Sequence, residues 1–193
     1  MAEIPVLGMD PSLRSWGLAE TTLDLSTGIP TIPHLTVIEP EDLKGKQVRQ
    51  NSKDLWLAEQ LSGPVMAAAR KAKVIFVEVP VGSQSARAMA SYGVCVGILG
   101  AVRALGIPLI EVTATESKVI FTGDKNATKQ QMINAGLAFY PAANWPRYEQ
   151  SGKGFTKGDI HSKAEHVADA IAAIHSGVRT PVFQNLMRLF AEV

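Results

Sequence analysis

Cysteine is nearly absent from this chain: of 193 residues only Cys95 is one. A lone thiol closes no intramolecular disulfide, so the fold has to be held by its core, and a reducing compartment is expected. The neighbours Val94 and Val96 predict a buried thiol rather than a nucleophile. No apolar run reaches the roughly 20 residues that a membrane-spanning helix needs, and no basic stretch leads into an apolar one at the N-terminus. The expectation is a soluble, cytoplasmic protein with no membrane partner. Excess charge is missing too, with a net charge of +1 and 19% charged residues. A balanced total neither supports nor excludes nucleic acid, because a basic face can hide within it. Repeats, low-complexity tracts and linkers are absent, so residues 1–193 read as one domain, and 46% hydrophobic residues can fill its core.

What is present is organised around two apolar runs. Residues 4–10 end on Asp10 and meet the turn-forming Pro11-Ser12-Leu13-Arg14-Ser15. Residues 74–80 are apolar throughout except for Glu78, the mark of a strand covered on both faces. Residues 15–22 and 33–38 read as strands joined by short turns, which makes an antiparallel meander with the first. Pro33 and Pro40 suit an edge strand for the third. A polar loop is expected over 41–50. A helix follows over 52–72, with Leu55, Leu57, Leu61, Val65 and Met66 as core positions and a kink or break at Gly63-Pro64.

A second helix is expected over 85–105, rich in small residues. Gly93, Gly97 and Gly100 each cost about 1 kcal/mol relative to alanine in a helix interior. Close approach of another backbone, either the sheet or a second subunit, would compensate. Residues 107–112 form a further strand. A short helix capped by Thr113 or Thr115 reaches about residue 121, and another ends at 139. Residues 141–159 read as irregular, and helices are expected over 162–175 and 181–191. The fold class is α/β. Its five-stranded mixed sheet combines a three-strand antiparallel meander with two parallel strands, flanked by helices.

The helical crossover allows the 74–80 strand to lie parallel to the first and beside it, which brings Asp10 and Glu78 to the same sheet edge. On the 162–175 helix, His166 and Asp169 lie three residues apart on one face, bordering the apolar stripe of Val167, Ile171 and Ile174. Glu165 also lies four residues from Asp169, but reads better as a solvated helix residue. Three carboxylates and an imidazole form a hard, oxygen-rich set that suits Mg²⁺ or Mn²⁺ and not a structural zinc. Two such ions, about 3.5–4 Å apart, support phosphodiester hydrolysis by activating water and stabilising the leaving oxygen.

Three segments together resemble the RuvC family of Holliday junction resolvases, which have a ribonuclease H-like fold. They are Leu7-Gly8-Met9-Asp10-Pro11-Ser12-Leu13-Arg14-Ser15-Trp16-Gly17, then Phe76-Val77-Glu78, then His166-Val167-Ala168-Asp169-Ala170-Ile171-Ala172. The resemblance covers nearly the whole chain. It implies that Asp10, Glu78 and Asp169 are metal ligands, with Asp10 shared by both ions and His166 as the fourth ligand. It implies supporting catalytic roles for Lys118 and Lys129. It also implies a homodimer that nicks a four-way DNA junction symmetrically, with the 85–105 helix as the place to look for the interface.

The chain departs from that family in three places. Residues 79–84 carry no aromatic wedge, and Pro-Ser-Leu-Arg follows Asp10 where Pro-Gly-Ser-Arg is commoner. The 141–159 stretch is long, and its Trp145, Tyr148, Phe155, Arg147, Lys153 and Lys157 suit either base stacking and backbone contact or a solvated loop. These departures suggest a divergent, bacteriophage-like branch. They also leave open a related nuclease with broader branched, flap or RNA-containing substrates. An actin-like phosphate-binding module would want glycine-rich phosphate turns that are missing here, and a catalytically dead DNA-binding protein would not be expected to keep all four ligands.

Overall fold

In a computed structural model, residues 3–45 and 48–191 are described. The elements run β1 (Glu3–Asp10), β2 (Trp16–Asp24), β3 (His34–Ile38), α1 (Gln50–Ala69), β4 (Val74–Glu78), α2 (Ala86–Arg103), β5 (Leu109–Val112), α3 (Ala114–Thr122), α4 (Lys129–Phe139), α5 (Ala164–Gly177) and α6 (Pro181–Ala191). The strands form one sheet in the order β3-β2-β1-β4-β5. β1 pairs antiparallel with β2 and β2 with β3, whereas β1–β4 and β4–β5 are parallel. This is the expected mixed sheet. Of the loop expected over 41–50, residues 41–49 are irregular as far as they are described, residues 46 and 47 lie outside the described residues, and Gln50 already belongs to α1. Among the described residues no helix is long and apolar enough to cross a membrane.

The period-two alternation of the central strands builds two cores. Leu7, Met9, Ile75 and Val77 point to one face and pack against Leu57, Leu61 and Val65 of α1 and Ile98, Leu99 and Val102 of α2. Val6, Val74, Phe76 and Ile110 point to the other and meet α3, α4 and α5. Each such side chain contributes roughly 1.5–3 kcal/mol by leaving water. Cys95 is fully buried in the first core, as expected, and burial together with the charge of Asp10 pushes its thiol up to about 12.

Two expectations for α1 are corrected. Leu55 is not a core residue but 71% exposed. The buried positions Leu57, Leu61, Val65 and Ala68 follow the helical period, and a residue two before Leu57 falls about 200° around the helix, on the solvent side. Of the kink or break expected at Gly63-Pro64, the break does not occur: the helix runs through Pro64. Both residues are exposed, so water can serve the carbonyl that Pro64 leaves without a donor. The fully buried Leu61 and Val65 hold that turn on either side.

α5 is the central helix of the second layer, and two glycines seat it. A Cβ at Gly8 would collide with the carbonyl oxygen of Ala170, and one at Gly17 with the carbonyl oxygen of His166. Backbone-to-backbone contact is therefore what brings α5 down onto β1 and β2. By contrast, a Cβ at Gly93, Gly97 or Gly100 of α2 would meet nothing within 4 Å. Of the two explanations for the small residues of α2, close approach to the chain's own sheet does not apply to these three.

Candidate functional site

Register delivers two carboxylates to one edge. Gly8 of β1 pairs with Phe76 of β4 and Met9 with Val77, so Asp10 and Glu78 end adjacent parallel strands. Both belong to the even-numbered positions that face α5. Opposite Asp10 in the antiparallel pair stands Gly17, and the missing side chain there lets the first turn of α5 sit directly above. His166 and Asp169 arrive by that route.

His166 Nδ1 and Asp10 Oδ2 are 2.8 Å apart, with both side chains mostly buried. Burial disfavours the imidazolium, but the Asp10 hydrogen bond and the charges of Asp10, Glu165 and Asp169 outweigh it and hold His166 above its ordinary value. Glu78 is pushed up to about 7 by burial and then by the charge of Asp10, with Lys118 acting in the opposite direction. Asp169 is pushed up to about 8, by burial first and then by Asp10, Glu78 and Glu165. Two acids held near neutrality beside a third acid mark a functional site more often than a structural one.

The expected basic residues stand at the rim. α3 starts in a capping box, Thr113 with Glu116, which settles Thr113 and not Thr115 as the cap and sets the phase of the helix that carries Lys118. A second box, Thr128 with Gln131, starts α4 and places Lys129 on its first turn. The Lys129 ammonium donates to Glu165 Oε1 at 2.7 Å, and this bond is the main reason its pKa is raised.

Glu165 is the residue that sequence reasoning missed. It is not solvated: its side chain is 16% exposed, bonded to Lys129 and 3.7 Å from His166 Nε2. The i,i+4 spacing to Asp169 was the available signal, but the cation that claims Glu165 comes from a different helix. Trp145 is a second correction. It is buried, its Nε1 donates to Tyr140 O at 2.8 Å, and it fills the space left by Gly136, so it presents no ring for base stacking.

The donor set suits a hard divalent cation. Three carboxylates and an imidazole share one edge, and burial first, then neighbouring negative charge, pushes two of the carboxylates up to about 7 and about 8, a shift that a dication would reverse. Among the described residues, however, no three such side chains are gathered tightly enough to form a ready-made ligand cluster. Asp10 is drawn onto His166, and its charge acts on Glu78 and Asp169.

No family model matches the sequence, and no curated protein matches it either. Solved structures do. RuvC from T. thermophilus in complex with a Holliday junction substrate superposes with a TM-score of 0.63 at 15% identity, covering 96% of each chain. A second Thermus thermophilus RuvC structure gives 0.54 at 16% identity over 95% of this chain and 96% of that one. The yeast mitochondrial Holliday junction resolvase Ydc2 gives 0.55 at 14% identity over 96% of this chain and 83% of its own. The chain has the ribonuclease H-like fold of the RuvC resolvases.

Proposed function

We propose that this protein is a divalent-metal-dependent endonuclease that resolves four-way DNA junctions by paired nicks, acting as a homodimer. The observation that carries this reading is the convergence of Asp10, Glu78 and Asp169 at one end of the sheet, where burial first and then the charge of Asp10 push Glu78 up to about 7 and Asp169 up to about 8. Similarity to a RuvC bound to a Holliday junction substrate supports the choice of substrate. Asp10, Glu78, His166 and Asp169 would hold two ions, Mg²⁺ or Mn²⁺. When bound, these supply Lewis-acid stabilisation and a water of lowered pKa for phosphodiester hydrolysis.

The chain's own residues do the rest. Asp10 accepts from His166 Nδ1 and so fixes the imidazole against the sheet. Lys129, held by Glu165, and Lys118, within electrostatic reach of Glu78, place positive charge where a phosphate would gain negative charge in its transition state. The glycines of α2 open onto free space, and Met89 and Val96 of the same helix are each 46% exposed. This supports α2 as the surface on which two copies meet, so that paired sites match a two-fold junction.

A nicking assay on a synthetic four-way junction, a Y-fork and plain duplex tests the reading, with Mg²⁺, Mn²⁺ and Ca²⁺ compared. Junction cutting in Mg²⁺ and Mn²⁺ is expected. Asp10→Asn should lower it by at least ~10³-fold while junction binding survives. Undiminished nicking by Asp10→Asn sinks the site, and equal rates on all three substrates sink junction selectivity in favour of a broader branched-DNA nuclease.

A further inference from the structure

The segment between α4 and α5 takes no part in the site just described, yet it is built rather than loose. Beyond the buried Trp145 the chain folds back on itself. Arg147 bridges to Ile160, Tyr148 N donates to Asp159 O and Gly158 N to Tyr148 O, both at 2.9 Å, and His161 N donates to Pro146 O at 2.9 Å. A tighter bridge, Gly152 with Phe155, closes the tip, and Gly154 turns there with a φ of +87°. Inside this hairpin the rings form a stack. Tyr148 and Phe155 lie 3.8 Å apart at 14°, and His161 lies 4.3 Å from Tyr148 on an inclined plane. The Arg147 guanidinium also donates to Gly158 O at 2.7 Å.

The charges point outward. Arg147, Lys153 and Lys157 are exposed, and none has an ion-pair partner among the described residues. Of the two acids, Asp159 is engaged by the Thr156 N–H at 2.7 Å, and Glu149 is exposed. His161, the last ring of the stack, lies five positions before His166. The hairpin therefore hangs from the first turn of the helix that carries the candidate site.

We propose that the hairpin over residues 147–160 is a preformed docking surface for the sugar-phosphate backbone of one DNA arm, with Lys153, Lys157 and Arg147 as the phosphate contacts. This inference rests on the DNA-cutting reading above and adds which part of the chain holds the arm. Unpaired cations on a rigid support suit phosphates, because binding releases counterions without breaking ion pairs within the protein. The ring stack acts as the scaffold that keeps them aimed.

Junction binding by the full chain without divalent metal, so that nothing is cut, supplies the test, read by fluorescence anisotropy between about 50 and 200 mM salt. The double variant K153E/K157E should bind roughly 10- to 100-fold more weakly and flatten the slope of log affinity against log salt by about two. Its nicking at saturating junction should be unchanged, with the loss confined to KM. The control R70E/K73E makes the same change in net charge at the opposite edge of the sheet and should bind nearly as the parent does. An equal loss in both double variants, or no loss in K153E/K157E, overturns the docking surface and leaves the nuclease reading standing. A parent protein that binds no junction DNA removes both.

Discussion

The two ends of α5 carry a histidine each, and they behave in opposite ways. At the N-terminal end His166 meets Asp10 and is surrounded by Glu165 and Asp169, so its proton is held more tightly than usual. At the C-terminal end His175 sits among Phe121, Phe139 and Tyr140, with Tyr140 Oη 2.7 Å from its Nε2. Burial and then the charge of Arg179 push His175 down to about 4. One end is a polar site under electrostatic strain. The other is an aromatic core with one satisfied hydrogen bond. A histidine on a mostly apolar helix carries no functional meaning by itself; the groups that the sheet edge and neighbouring helices bring to it decide.

Removing charge from the strained end should have the largest effect. Glu78→Gln or Asp169→Asn is expected to lower nicking by at least ~10³-fold. The same variants should be more heat-stable than the parent near pH 8. In the folded state both acids titrate above their unfolded values of 4.5 and 3.8, at about 7 and about 8. The folded chain therefore holds the extra protons across that window, and stability falls as pH rises through it. Thermal melts from about pH 5 to 8 check this, and added Mg²⁺ should raise the parent's melting temperature at pH 8 while barely moving the variants'. A variant that is less stable than the parent at every pH would show the carboxylates to be structural.

The opposite end should respond with the opposite sign. His175 has a folded pKa below its unfolded value of 6.5, so the unfolded chain takes up the proton first, and stability is lost as pH falls from about 6.5 towards 4. The loss should reach about 3 kcal/mol, measured by urea melts. Pairing His175→Phe with Tyr140→Phe replaces both partners by apolar rings and should flatten that acid limb, with nicking at neutral pH within about twofold of the parent. A strong loss of nicking would join the two ends functionally and erase the contrast.

Smaller effects test how the site end is seated. Gly17→Ala places a methyl group against the His166 carbonyl, which should cost about 1–3 kcal/mol and reduce nicking by lifting His166 from Asp10. An unchanged activity would show that the 2.8 Å contact is not needed. Tyr140→Phe alone should cost only about 1 kcal/mol in a urea melt, with activity unaltered.

Much of this was legible in the chain because it is local or periodic. The apolar runs at 6–9 and 74–77 are the central strands covered on both faces, and Thr113, one of the two threonines offered as a cap, starts α3. Asp10, Glu78, His166 and Asp169 were readable because strand ends and helical spacing are fixed by covalent geometry. Leu55 is apolar but falls on the solvent side of α1, because helical phase and not hydrophobicity alone decides which residues face the core. Trp145 packs inward over Gly136, a contact that composition does not encode because it depends on which side of a turn the ring takes. The place of Glu165 is not legible locally, because its partner, Lys129, is 36 residues away in sequence and on another helix.

The sequence by itself determined the elements, their order and the four polar side chains that end on one edge of the sheet. Backbone periodicity and chain connectivity leave few other arrangements. Only the tertiary structure decided what those side chains feel. Gly8 and Gly17 let α5 settle onto β1 and β2, which brings His166 to Asp10 and sets Asp169 and Glu78 against a third carboxylate away from water. Desolvation and charge repulsion depend on distances between residues far apart in the chain, and no local pattern encodes them.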